Sequence, residues 1–235
     1  MSRCKRSVEE VEEARERIRQ AALALFDTGD YREVSMRKVA AGAGCSAATI
    51  YRYYRDKDAM YLDVLQHGFQ ILLDMFLQEG QAPSPVGRLQ RLTQVFYRFS
   101  VEYPSYYDIM FNLPVPKYLD YVGTDMEPTA RDEKSVAIAA LDLATAIVRE
   151  GQVDGDFKPD VDPRGAAISL LAACHGVISL HRSRVLPEIE DDLQQAYSRT
   201  AQTIIESLAL TTRRPQAKSP DARGQGPREG KGRQE

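Results

Sequence analysis

The sequence is poor in the features that mark several large classes of protein. It holds three cysteines, Cys4, Cys45 and Cys174, spaced too widely for a CxxC pair or a zinc framework. In a reducing compartment they stay thiols. No apolar run reaches the roughly 18 residues of a membrane span. The charged start MSRCKRSVEEVEEARERI lacks the apolar core of a signal peptide. No membrane partner and a cytoplasmic location are therefore expected. A G-x-S-x-G elbow, an HExxH helix and a phosphate-binding glycine loop are all missing, so no catalytic residue is assigned and no cofactor is expected. Asp154, Asp156, Asp160 and Asp162 lack the spacing and terminal glutamate of a calcium loop and read as turn and cap residues. His175 has Cys174 adjacent and His181 six residues on, which is no metal spacing on a helix, so no metal ligand is assigned. No run alternates as a strand should, and the expected class is all-α.

Charge is unevenly spread. Residues 1–60 carry 12 Lys+Arg against 10 Asp+Glu, a net of +2. Residues 61–211 carry 12 against 21, a net of −9, and residues 212–235 carry 7 against 3, a net of +4. The overall −3 hides a local excess. Between Ser35 and Lys57 five cations, Arg37, Lys38, Arg52, Arg55 and Lys57, face one acid, Asp56. An anionic partner is expected there.

Helical periodicity and breakers divide the chain into about nine helices. Ser7 and Glu10 fit a capping box opening the first, whose apolar stripe is Ile18, Ala22, Leu25 and Phe26 and whose end is at Gly29–Asp30. Ser35 caps a short second helix, and Gly42 and Gly44 close it. Ser46 caps a third, from Ala47 to about Tyr54. Asp56 caps a fourth, from Lys57 to about Glu79. A fifth runs from Val86 to Tyr103, and a short aromatic sixth starts at Pro104. LPVPKYLDYVG reads as irregular. A seventh covers Pro128 to Glu150 and stops at Gly151. Asp162 and Pro163 open an eighth, and Pro187 opens a ninth that ends near Leu210. The tail from 212 has too little apolar surface to offset ordering entropy and should be disordered. The domains expected are 7–56, 57–211 and the basic tail 212–235.

Two short helices joined by a glycine turn form a helix-turn-helix, whose second helix enters the major groove. Val39, Ala40, Ile50 and Tyr54 lock the unit. Ala47 and Ala48 are small enough for close approach to base edges and thymine methyls. Helix N-termini offer free N–H groups to phosphate. Thr49, Tyr51 and Tyr53 bring hydroxyls, Arg52 and Arg55 reach for guanine or phosphate, and Lys57 lies against the backbone. Arg37 and Lys38 read either as DNA contacts or as a solvated face.

This arrangement, from about Arg15 to Leu65, resembles the TetR family of transcriptional repressors. The resemblance rests on Ile18, Ala22, Phe26, Gly29, Tyr31, Val34–Ser35, Val39–Ala40, Gly44, Thr49–Ile50–Tyr51, Tyr54, Lys57 and Met60. Cys45 stands where the family usually has an aliphatic residue, and Asp58 where Glu is commoner. The resemblance implies phosphate contacts by Ser35, Thr49, Tyr51 and Lys57, with Ala47, Ala48, Arg52 and Tyr53 reading or flanking bases. Ser46, as the cap, and Arg37 complete the expected DNA-binding set. From Tyr103 to Leu180, PSYYDIMF and LLAACHGVISL resemble a subgroup with a Trp-His-Gly motif, although Cys174-His175-Gly176 lacks the tryptophan. This implies a homodimer through helices near 163–186 and 187–210, and a pocket for a small-molecule effector.

Candidate pocket residues are Phe69, Phe96, Phe99, Tyr103, Tyr107, Met110, Phe111, Leu143, Ile147, Leu171 and His175; any one of them is by default plain core. The expected function is a sequence-specific, DNA-binding transcriptional regulator, a repressor released by its effector from a pseudo-palindromic operator. Alternatives are an all-helical sensor that no longer reads DNA, and an enzyme using the aromatic cluster. The cations and hydroxyls at 49–57 favour the first.

Overall fold

A computed structural model describes residues 8–28 and 31–210. The Ser7 capping box, the Gly29–Asp30 stop and the tail lie outside the described residues. Those described form ten α-helices and no strand; one isolated backbone bridge joins Phe157 to Ala209.

The first four helices are α1 (Val8–Thr28), α2 (Met36–Gly42), α3 (Ala47–Ile50) and α4 (Lys57–Glu79). Ile18, Ala22 and Phe26 of α1 close a small core with Val39, Ala40, Ile50 and Tyr54. Short polar side chains set the helix starts by accepting otherwise unpaired N–H groups. Ser35 Oγ accepts from Lys38 N at 3.3 Å, Ser46 Oγ from Thr49 N at 3.1 Å, and Asp56 Oδ1 from Ala59 N at 2.8 Å. Gly44 takes φ +63°, which an L side chain resists, and this turns α2 into α3.

The remaining helices are α5 (Pro85–Glu102), α6 (Pro104–Tyr107), α7 (Tyr118–Tyr121), α8 (Glu127–Asp154), α9 (Pro163–Arg182) and α10 (Leu193–Leu208). A π-helical turn, Asp108–Asn112, continues α6. In the body α4 packs on α8, α8 on α9, α9 on α10, and α5 against α4, α8 and α10.

Four boundaries differ from the sequence reading. Helix α3 stops at Ile50: Arg52 N turns to Thr49 O and Tyr53 N to Ile50 O, an i to i−3 tightening into a turn. The stretch expected to be irregular holds the one-turn α7, fastened where Lys117 N donates to Asp120 Oδ2 at 2.8 Å. Gly151 does not end α8. The helix continues to Asp154 and closes on Gly155 at φ +79°, while a Cβ on Gly151 would lie 2.2 Å from the Phe157 ring. Gly151 is there so that the Phe157 ring can lie against the helix backbone. Pro187 lies in a 3-10 turn, and the last helix begins at Leu193, capped by Asp192.

By length and composition α9 could cross a membrane. Its inner residues, among them Leu170, Cys174 and Ile178, belong instead to the core shared with α8 and α10.

Candidate DNA-binding face and ligand cavity

Helix α3 has two unlike sides. Ile50 is fully buried against the head, and Tyr54 just beyond it is buried too. On the other side Ser46, Ala48, Tyr51 and Arg52 are exposed, while Ala47, Thr49 and Tyr53 are half-buried at its rim. Ser35, Arg37 and Lys38 at the start of α2 are exposed as well. All ten residues of the expected DNA-binding set therefore belong to one helix-turn-helix unit and its flanks. Tyr51 is 58 % exposed, so its ring contributes little to the head's core.

Two cations sit differently from the other three. Arg55 is ion-paired to Asp56 at 2.8 Å and to Asp125, beyond α7, at 2.9 Å. Lys57 donates to Tyr31 O at 2.9 Å, with its ammonium 4.1 Å from the centre of the Tyr31 ring. An ammonium has three donors, so two remain for another acceptor. Among the described residues no ion pair engages Arg37, Lys38 or Arg52.

The head is clamped to the body by charge, which the sequence reading did not identify. Arg19, 4 % exposed, reaches Glu12 and Glu16 at 2.8 Å and Asp63 of α4 at 3.1 Å. Its Nη1 also lies 3.0 Å from His67 Nδ1. Burial, then the Arg19 charge, pushes the His67 pKa down. The signal in the sequence is Glu12, Glu16 and Arg19 at helical spacing on α1. On the far side Tyr31 donates to Asp58 Oδ1, and Tyr121 of α7 approaches the same oxygen at 3.5 Å. Lys117, just before α7, donates to Ile109 O and Met110 O at 3.2 and 3.0 Å. The stretch from the π-turn through α7 thus reaches from the body's interior to the start of α4.

That interior contains a cavity of about 100 Å³ between α4, α5, the π-turn, α8, α9 and α10. Of the expected pocket residues, Phe69, Phe96, Phe111 and Leu171 line it. Tyr107 and His175 lie beside it: their Oη and Nδ1 atoms are 2.8 Å apart, and both rings contact Phe111. Phe99 stacks on Tyr103 in the core nearby, and Met110 packs against Gly68. Leu143 and Ile147 do not reach the cavity, because α8 turns Ala137, Ala140, Leu141 and Ala144 toward it instead. Cys174, in the wall, has its thiol pushed up to about 11 by burial.

An exposed short helix on a trihelical head, followed by a helical body with a cavity, is the architecture of a helix-turn-helix DNA-binding regulator. Comparison with known proteins gives the family. Residues 18–64 match the model for bacterial regulatory proteins of the tetR family. Residues 89–221, more than half of the chain, match the tetracyclin repressor-like C-terminal domain. The chain belongs to the TetR family and is a DNA-binding transcriptional regulator.

It is similar to the HTH-type transcriptional repressor KstR2 of Mycolicibacterium smegmatis, 23 % identical over 149 residues, which span 63 % of this chain and 69 % of that protein. An HTH-type transcriptional regulator of Staphylococcus aureus strain USA300 is 32 % identical over 69 residues, 29 % of this chain and 37 % of its own length. Among solved structures, the fatty acid degradation regulator FadR of Bacillus halodurans shares the fold with TM-score 0.65 and 19 % identity, over 86 % of this chain and 96 % of its own. The MbdR regulator of Azoarcus sp. CIB does so with TM-score 0.64 and 22 % identity, over 84 % and 100 %.

Proposed function

We propose that the chain is a homodimeric repressor that releases its operator when a small molecule occupies the body. The observation that carries this reading is the two-sidedness of α3: Ile50 is buried, while Ser46, Ala48, Tyr51 and Arg52 face outward. In this reading Ser35, Thr49, Tyr51 and Lys57 hold phosphates, and Arg37 and Ser46 support them. Ala47, Ala48, Arg52 and Tyr53 meet or flank base edges. The head is 7–56, the effector and dimerisation domain is 57–211, and the tail is 212–235.

Two protomers pair through the outer faces of α9 and α10. Ile168 and Leu180 on α9 are 48 % and 43 % exposed, and Ile189, just before α10, is 76 % exposed. Burying such residues on a second copy supplies an apolar driving force. Two-fold symmetry then calls for a pseudo-palindrome with half-sites about 34 Å apart or slightly more. An effector favours release only by its differential affinity for the released form. The Arg19 clamp and the α7 stretch tie the head's orientation to the body, so a shift in the body turns the heads.

The test is a gel shift of the full chain with DNA from upstream of its own coding sequence, with sedimentation of the free protein. A dimer that binds one sequence specifically, with affinity falling steeply as salt rises, is the expected result. A folded dimer that binds no DNA specifically at low salt would leave a sensor without DNA-reading function.

A further inference from the structure

The walls of the cavity limit what it can hold. One wall is aromatic: Phe69 and Phe96 each meet the Phe111 ring edge-on, with centroids 5.9 and 5.6 Å away. The lining contributed by α8 includes a row of small side chains, Ala137, Ala140 and Ala144, at positions i, i+3 and i+7. Side chains that stop at Cβ leave room there that longer ones would fill.

No charged side chain lines the cavity. Its polar atoms come from Thr93, Cys174 and Tyr197, and their protons are committed or held. Thr93 Oγ1 donates to Gln90 O at 2.8 Å, and Tyr197 Oη donates to Thr93 O at 2.7 Å. Burial keeps the Cys174 thiol protonated near neutral pH. A carboxylate, phosphate or ammonium placed here would lose its water and find no counter-charge. An apolar cavity of comparable size takes up benzene.

Building on the effector reading above, we propose that the cavity is a binding site for an uncharged, hydrocarbon-rich small molecule of the size of a single aromatic ring or a short alkyl chain, seated between the aromatic wall and the alanine row. Any charged group on a natural effector stays outside the cavity. Phe111 belongs to the π-turn that leads into the α7 stretch, so the occupant touches the segment that reaches the head.

The test uses the full-length protein without DNA. Toluene, benzoate and benzylammonium, which share a ring and differ in charge, are titrated by calorimetry and by thermal melting at pH 7. Toluene is expected to bind saturably and raise the melting temperature with concentration. Benzoate and benzylammonium are expected to bind at least tenfold more weakly. Ala144→Phe, which fills the space, is expected to fold and to lose the toluene response; Ala140→Val gives the same reading with a smaller filling. No saturable toluene binding, benzoate or benzylammonium binding as tightly, or wild-type toluene affinity in a folded Ala144→Phe chain would each overturn the proposal. Because the readout contains no DNA, failure of the gel shift leaves this result standing. Toluene that binds but leaves the DNA complex intact counts against effector release and not against the ligand class.

Discussion

Arg19 Nε and Tyr54 Oη converge on one oxygen of Asp63, at 3.1 and 2.7 Å. A residue of α1, the residue that ends the recognition segment and a residue of α4 are thereby joined at one carboxylate. Arg19 is almost completely buried, whereas Asp63 keeps partial access to water. Removing the cation leaves Asp63 with the Tyr54 hydroxyl but without a counter-charge. Arg19→Ala is expected to cost about 3 kcal/mol of stability. Asp63→Asn should cost less, because Glu12 and Glu16 still neutralise Arg19. Chemical denaturation measures the loss. DNA affinity per folded dimer should also fall in Arg19→Ala, since the head loses its bearing on α4; unchanged affinity would make the cluster a stability element only.

Tyr51 offers a cleaner separation of stability from recognition. Its side chain is exposed, and Tyr51→Phe removes a hydroxyl while keeping the ring. A hydrogen bond to a charged group is worth about 1.5 kcal/mol, so DNA affinity should drop roughly tenfold with the melting temperature unchanged. A lowered melting temperature with full affinity would make the residue structural.

Arg52 makes no ion pair among the described residues and faces outward. If it reads a base, Arg52→Ala changes which operator variants bind best, by about 1–3 kcal/mol at one position. A uniform loss across sequences, with a shallower salt dependence, would place it on the phosphate backbone.

Glu133 is a buried carboxyl on α8, 6 % exposed, and burial pushes its pKa up to about 7 against an opposing pull from Lys117. Its ordinary value is 4.5, so between about pH 4.5 and 7 the folded chain holds a proton that the unfolded chain has released. Stability from this group is therefore complete at low pH and is lost as pH rises to 7. Glu133→Gln keeps the shape without the charge. It should raise stability at pH 8 by about 1–3 kcal/mol and change it little at pH 5, as read from denaturation midpoints at the two pH values.

At Gly151 the added methyl of Gly151→Ala meets the buried Phe157 ring. Overpacking of this kind costs about 1–3 kcal/mol. Phe157→Leu in the same chain should recover part of the loss by giving the methyl room. A neutral Gly151→Ala would show that the Phe157 ring can give way and that this position does not require glycine.

What could be read along the chain was local. The caps at Ser35, Ser46, Asp56 and Asp162, the glycine turn at Gly44 and the apolar spacing of α1 and α4 all act within a few residues. They placed the head, the order of helices and the outward-facing set around Thr49–Arg52. The same local rules overran at α3, where the backbone tightens after Ile50 so that Tyr54 can swing inward to Asp63 of the next helix.

The sequence by itself determined an all-helical chain with a helix-turn-helix head, because capping, periodicity and turn chemistry are satisfied by near neighbours. Only the tertiary structure decided which face of α8 borders the cavity, why Gly151 is glycine and where Arg19 finds its partners. Arg19 meets Asp63 and His67 across 44 and 48 positions, Gly151 meets Phe157 only where the chain folds back after α8, and the face of α8 is set by its rotation against its neighbours; all three are fixed only when the core closes.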